Sequence, residues 1–171
     1  MIKIFPFNQF RFGIGLEAGF LIGPQSTEYI APFSFSVLGT YNIDSRHSVA
    51  AGTGVEFLGV SYVPIFAEYK IHLLSGNTSQ FIFGRGGAIV YLGKNVEEWP
   101  NQSYYEQYDY SGGPMFTIGT GISWSKQSFK TVLSFAYRYA KTEYTYEDSY
   151  TQATTYESNY KRLEVKIGFY F

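Results

Sequence analysis

Apolar and polar residues alternate along most of this chain with a period of two, the spacing that sends successive side chains of an extended strand to opposite faces. The clearest case is 162–171. Leu163, Val165, Ile167, Phe169 and Phe171 fall on one face, and Arg162, Glu164, Lys166, Gly168 and Tyr170 on the other. Seven further runs repeat the pattern. The first, over 9–22, sets Phe10, Phe12, Ile14, Leu16, Ala18, Phe20 and Ile22 against Arg11, Gly13, Gly15, Glu17, Gly19 and Leu21. The second opposes Phe33, Phe35, Val37 and Tyr41 to Ser34, Ser36 and Thr40, and the third opposes Val49, Ala51, Val55 and Phe57 to Ser48, Gly52, Gly54 and Glu56. In the fourth, Val63 to Leu73 alternate with Glu68, Lys70 and His72. The fifth, 80–94, is irregular: strict alternation puts Phe81 and Phe83 on the face of Arg85, unless a bulge among Gly84, Gly86 and Gly87 resets the parity. The sixth opposes Phe116, Ile118, Ile122 and Trp124 to Thr117, Gly119, Gly121 and Ser123. The seventh opposes Phe129, Leu133, Phe135, Tyr137 and Tyr139 to Lys130, Ser134, Ala136 and Arg138, and continues past Tyr144.

The connections carry a second regularity. Turn signals fall at 24–28, 42–46, 61–64, 75–79 and 125–128, whereas 95–112 reads as a long polar, aromatic loop and the last hairpin is long and rich in Tyr, Asp and Glu. Short turns after strands two, four and six, long connections after five and seven, and short ones after one and three make the segregation partial. With eight strands it predicts an all-β fold, an eight-stranded antiparallel up-and-down barrel occupying 1–171 as a single domain.

Composition then decides which face is enclosed. Aromatics make up 20% of the residues and there are 18 glycines, with no apolar run near the ~18 residues of a membrane helix. A membrane crossing would therefore use strands. A soluble barrel would have to fit a dozen aromatic rings into an interior that eight strands make only wide enough for side-chain packing. The opposite orientation is predicted, with the aromatics on lipid and Arg11, Glu17, Glu56, Glu68, Lys70, Arg85, Lys130, Arg138, Arg162, Glu164 and Lys166 forming a mixed-sign charge network in the lumen. The glycines on the polar face are expected to make room for those long cations. Tyr41, Trp124, Phe129, Tyr139, Phe169 and Phe171 suit the interfacial girdles.

The terminal run resembles the last strand of bacterial outer-membrane barrels, with Glu164 at the polar position of the assembly signal and Phe169 and Phe171 as its aromatics; Lys166 stands where the glycine is usual. Over nearly its whole length the pattern is similar to that of the small barrels of the OmpX and OmpA-barrel type. The resemblance implies a bacterial outer-membrane location with periplasmic termini and extracellular long loops. It also implies contact with outer-membrane lipid and recognition of the last strand by the barrel-assembly machinery. The start, MIKIFPFNQF, has no secretory leader core of about 7–15 apolar residues, so the sequence is expected to be the mature protein, with Met1 an added initiator.

Candidate chemistry is sparse. Net charge is -1, which offers nucleic acid no basic footprint, and the absence of cysteine removes thiolate metal sites. Lipid A deacylases and palmitoyltransferases are similar in size and use a histidine with serine and a carboxylate near the outer leaflet; His47 is placed in a periplasmic turn and His72 in the lumen near that end, away from such a site. Gly13-Ile14-Gly15 and Gly52-Thr53-Gly54 precede no helix that could cradle a phosphate, and Glu97, Glu98, Glu106 and Asp109 lack ligand spacing for a hard cation. No catalytic residue, metal or cofactor is assigned. Tyr104, Tyr105, Tyr108, Tyr110, Tyr144, Tyr146 and Tyr150 are candidate contacts for a protein partner, since tyrosine suits interfaces; cross-strand pairing within a hairpin is the simpler use of such residues. The expected role is non-enzymatic, structural or interactive, including membership of a larger membrane assembly. The alternatives are a small-solute channel and a lipid-modifying enzyme.

Overall fold

A computed structural model describes residues 11–23, 32–58, 60–73, 78–93, 106–126, 129–148 and 151–171, with the backbone alone at 106–109, 126, 144, 146–148 and 151–153. Among the described residues nine strands run in chain order: β1 (Phe12–Ile22), β2 (Phe33–Asn42), β3 (His47–Phe57), β4 (Ser61–His72), β5 (Thr78–Tyr91), β6 (Glu106–Ser111), β7 (Gly113–Lys126), β8 (Phe129–Asp148) and β9 (Thr151–Tyr170). All neighbours are antiparallel, and β9 pairs with both β8 and β1, which closes the sheet. Strands β6 and β7 pair with successive stretches of β8, so nine strands fill eight positions of a closed up-and-down barrel.

The 42–47 turn, the start of β1 and the end of β9 share one end of the barrel, called here the turn end. Phe171 and Ile14 exchange backbone hydrogen bonds of 2.9 and 3.1 Å there. Asp44 closes the turn by accepting from the Arg46 and His47 amides at 2.7 Å each. At the opposite, loop end, β8 and β9 continue far beyond the other strands, each 20 residues long.

Alternation decides burial residue by residue. In β1, Leu16, Phe20 and Ile22 are exposed while Glu17 and Leu21 are buried, and in β2 Phe33, Phe35 and Val37 are exposed while Ser34 and Ser36 are buried. The barrel is therefore polar within and apolar without, the arrangement of a transmembrane barrel. Ring pairs mark both margins of the belt: Phe12 and Tyr41 lie 4.8 Å apart at the turn end, Phe20 and Phe33 4.7 Å apart at the loop end. At about 3.3 Å per residue and a tilt of about 40°, an 11-residue strand such as β1 rises about 28 Å, matching a hydrocarbon layer.

Three expectations are corrected. The turn signal at 61–64 belongs earlier, since Ser61 already starts β4. Pro64 reads as a turn residue but sits within the strand, and the β3–β4 register omits Gly54 and Val55 just where a proline, lacking an N–H, faces them. The stretch 95–112 is not all loop, because Glu106–Ser111 forms β6 along the upper part of β8. No bulge resets β5, whose register with β4 is continuous from Tyr91 to Phe81, so Phe81 and Phe83 share the inner face with Arg85.

Candidate functional site

Two regions are candidates, the lumen and the sheet that rises from the loop end. In the lumen Arg85, on β5, reaches across the barrel to β1. Its Nη2 lies 2.7 Å from Glu17 Oε2, and its Nε donates to Glu68 Oε2 on β4, also at 2.7 Å. Lys70 adds a 3.0 Å contact to Glu68, and the Tyr170 hydroxyl donates to Glu17. Arg138, on β8, grips Glu56 on β3 with two nitrogens, both at 2.6 Å. Glu164 on β9 joins the two halves, 3.6 Å from Arg85, 3.5 Å from Arg138 and 3.4 Å from Lys166. These ion pairs tie β1, β3, β4, β5, β8 and β9 together through the barrel centre. Pairing with several partners is what makes buried charge tolerable, since an enclosed carboxylate or guanidinium left alone is strongly unfavourable.

Apolar side chains lie on either side of this network. Towards the turn end Phe81 and Phe83 pack with Val132, Ala136 and Tyr170; towards the loop end Leu21, Leu58, Tyr62, Ile89 and Met115 belong to a second cluster. Cation–π contacts connect the layers, with the Arg85 guanidinium 5.0 Å from the Phe66 and Phe83 rings and the Lys70 ammonium 4.7 Å from Phe81. These inward aromatics change the part given to the glycines. A Cβ on Gly15 would meet the Tyr170 ring, one on Gly52 the Phe66 ring and one on Gly121 the Phe81 ring; of the glycines facing long cations, Gly19 lies against Lys166. Strand glycines here clear space chiefly for rings rather than for Arg and Lys.

Phe81 and Phe83 are buried on the face of Arg85, where strict alternation places them. The signal was the parity of Phe81 and Phe83 itself. Two of the predicted lumen charges lie at its margin: Arg11 precedes β1 and is exposed, and Lys130, the second residue of β8, is half-buried. Both sit where the turn end opens to water.

The histidines occupy the turn end. His47 is the first residue of β3 rather than part of the turn, and its Nδ1 is 2.7 Å from the Tyr69 hydroxyl. His72 Nδ1 lies 3.2 Å from Ser79 Oγ, beside the Phe81 ring. Among the described residues no cluster of three or more His, Asp or Glu is arranged to hold a metal ion.

The second region begins where the outward face changes character. Along β8 this face runs Phe129, Leu133, Phe135 and Tyr137, then Lys141, Glu143 and Thr145; along β9, read upward, it runs Phe169, Ile167, Val165 and Leu163, then Lys161, Asn159, Glu157 and Thr155. The change falls at one level on both strands, because Tyr139 is paired with Lys161. Beyond it the contacts are those of a wet surface: Lys141 to Glu157 at 2.8 Å, Tyr139 to Asn159 at 2.6 Å and Thr145 to Thr155 at 3.2 Å. The Glu157 hydrogen bond holds the Lys141 ammonium above its ordinary pKa.

With β6 on one side of β8 and β9 on the other, this becomes a three-stranded sheet standing above the belt. Tyr110, Tyr144 and Tyr156 are register partners across it, as are Tyr108, Tyr146 and Thr154. Ring contacts continue down into the lumen, Tyr110 lying 5.1 Å from Tyr91 and Tyr91 6.0 Å from Tyr62. Tyr104, Tyr105 and Tyr150 lie outside the described residues.

The architecture so defined is a closed antiparallel up-and-down barrel of eight strand positions, a fold similar to that of solved small outer-membrane β-barrels. Solved structures with this fold include the outer membrane protein AlkL in lipid bilayers, with a TM-score of 0.56 and 12% identity over 100% of this chain and 96% of that one. The N-terminal β-barrel domain of Pseudomonas aeruginosa OprF is similar, with a TM-score of 0.54 and 11% identity over 94% of this chain and 96% of that one. No family model matches the sequence, and no curated protein does.

Proposed function

We propose that this protein is a non-enzymatic barrel of the bacterial outer membrane, a rigid anchor that carries the β6–β8–β9 sheet out of the bilayer to meet a protein partner, as a surface element or as a subunit of a larger membrane assembly. The observation that carries the reading is the pairing of a filled lumen with a projecting sheet. Ion pairs and two apolar clusters occupy the interior, while tyrosine-bearing strands extend past the membrane margin with β6 as an edge. Tyrosine offers a broad, rigid, amphipathic contact surface at low entropic cost. The turn end faces the periplasm, the loop end the exterior, and the last strand, through Glu164, Phe169 and Phe171, is read by the barrel-assembly machinery.

The chain has no cysteine, so single cysteines can be introduced cleanly. Cysteine at Glu157 is expected to react with a membrane-impermeant maleimide on intact cells, and cysteine at Asp44 only after the outer membrane is opened. A photo-crosslinking residue at Thr155 or Glu157 is expected to capture a discrete protein species from native membranes, whereas one at Phe135 captures none. Equal capture at all three positions would remove the sheet's special role. Purified barrel in planar bilayers is expected to show no sustained conductance, and steady channels would favour solute transport instead. Replacing His72 by Ala is expected to leave the lipid A profile unchanged, and an altered profile would favour the enzyme reading.

A further inference from the structure

We infer that the loop end of the lumen binds a small oxyanion, of the phosphate or carboxylate kind, at Arg162. Among the described residues, the ionic side chains buried in the barrel are Glu17, Glu56, Glu68 and Glu164 on the negative side, and Lys70, Arg85, Arg138, Arg162 and Lys166 on the positive. Four against five leaves one positive charge in surplus. All but one of these groups join the ion-pair network, and the exception is Arg162.

Its contacts are neutral. Nη1 donates to the Gly23 carbonyl at 3.2 Å, the guanidinium lies 5.7 Å from the Tyr160 ring, and Nε is buried with no acceptor. The residue is only 3% exposed. A Cβ on Gly23 would press on Arg162 Cδ at 2.7 Å, so the side chain is seated closely against that backbone. Arg138, directly paired with Arg162 across β8 and β9, commits its terminal nitrogens to Glu56 and leaves its own Nε without a partner. One register pair therefore carries two buried, unused N–H donors together with the surplus charge.

A guanidinium cannot shed its proton to escape burial. Water would satisfy the donors but not the charge. An oxyanion satisfies both, and its planar or tetrahedral oxygens match the guanidinium fork better than a halide does. The position suits entry from water, because Arg162 lies between Lys161 and Leu163, the level at which the outward face leaves the hydrocarbon. Tyr160, whose ring the guanidinium faces, packs against the apolar cluster containing Leu21, Tyr62 and Met115.

The test follows arginine Nε–Hε resonances by NMR in the full chain refolded in detergent micelles. Inorganic phosphate and acetate are titrated in separate arms, with ionic strength held constant by sodium chloride. Arg162 is expected to shift saturably in at least one arm, with Arg138 following, at concentrations about tenfold or more below those that move the exposed Arg46. Arg162→Gln is expected to abolish the Arg138 response, and Arg162→Lys, which keeps the charge but not the fork, to weaken it about tenfold. The inference is overturned if Arg162 moves no more readily than Arg46, or if Arg138 responds equally in Arg162→Gln. It also fails if Glu28→Gln, Glu97→Gln or Glu98→Gln shifts Arg162 without added anion, since the counter-charge would then be the chain's own. Should Arg162→Gln not refold, the wild-type titration and Arg162→Lys decide.

Discussion

The β8–β9 hairpin is one continuous ladder from Lys130 and Tyr170 to Asp148 and Thr151, yet its lower and upper parts follow different rules. Below Tyr139 the outward side chains are apolar except Thr131, and the inward ones include Arg138, Glu164 and Lys166, each buried and each tied to an opposite charge. Above it, Lys141 and Glu157 form an ion pair of 2.8 Å in the open. Like contacts thus have unlike worth. Within the lumen an ion pair keeps a buried charge from standing alone, whereas in water each group is already solvated and pairing adds little. Enclosure sets the difference, since backbone and pairing are common to both parts: the lower pairs lie inside the closed barrel and the upper pair on a face open to water.

The largest expected effect comes from removing a lumen hub. Arg85→Ala leaves Glu17 and Glu68 without their shared guanidinium and is expected to cost about 3–5 kcal/mol in urea unfolding from lipid vesicles. Lys141→Ala in the same assay is expected to leave the midpoint unchanged, and equal losses would erase the contrast. Next comes charge on the outer face. Phe135→Arg, within the belt, is expected to cost about 2–4 kcal/mol, falling to about zero for Thr145→Arg on the same face of the same strand. A comparable penalty at Thr145 would place that residue in lipid as well.

A smaller effect tests the interior rings. Gly121→Ala brings a methyl against Phe81 and is expected to destabilise by about 1–3 kcal/mol, while Gly39→Ala, whose added Cβ meets nothing within 4 Å, is better tolerated. The smallest effect is local and depends on pH. The Arg46 and His47 amides hold the Asp44 carboxyl below its ordinary pKa of 3.8. A depressed carboxylate pKa means that its stabilisation is present above the unfolded value and lost as pH falls through the folded one. Amide exchange at Arg46 and His47 is therefore expected to quicken in acid, below the ordinary Asp range, with Asp44→Asn flattening the profile. An unchanged profile in that variant would sever the turn from Asp44.

Strand periodicity made the barrel legible, because each wall residue meets lipid or lumen according to parity alone, and parity can be counted. Leu21 on the polar face and Phe81 and Phe83 beside Arg85 were visible in that count. Only the possibility of a glycine bulge in β5 stood against that count, and the continuous register removes it. Pro64 misled for a local reason: a turn-forming residue can sit in a strand when the facing stretch of ladder forgoes its bonds, and nothing near Pro64 in the sequence reveals that.

What the chain alone determined is which residues share a face and that the oily face is too large to enclose, since alternation is local and ring volume is additive. Only the tertiary structure decided which charges meet. Glu17 and Arg85 stand 68 positions apart and Glu56 and Arg138 82 apart, and barrel closure, tilt and register, set by all the strands together, bring them across the lumen. The same closure leaves Arg162 without a carboxylate partner among the described residues and carries β6 up beside β8, because partnership across an interior depends on the geometry of the whole ring rather than on any stretch of it.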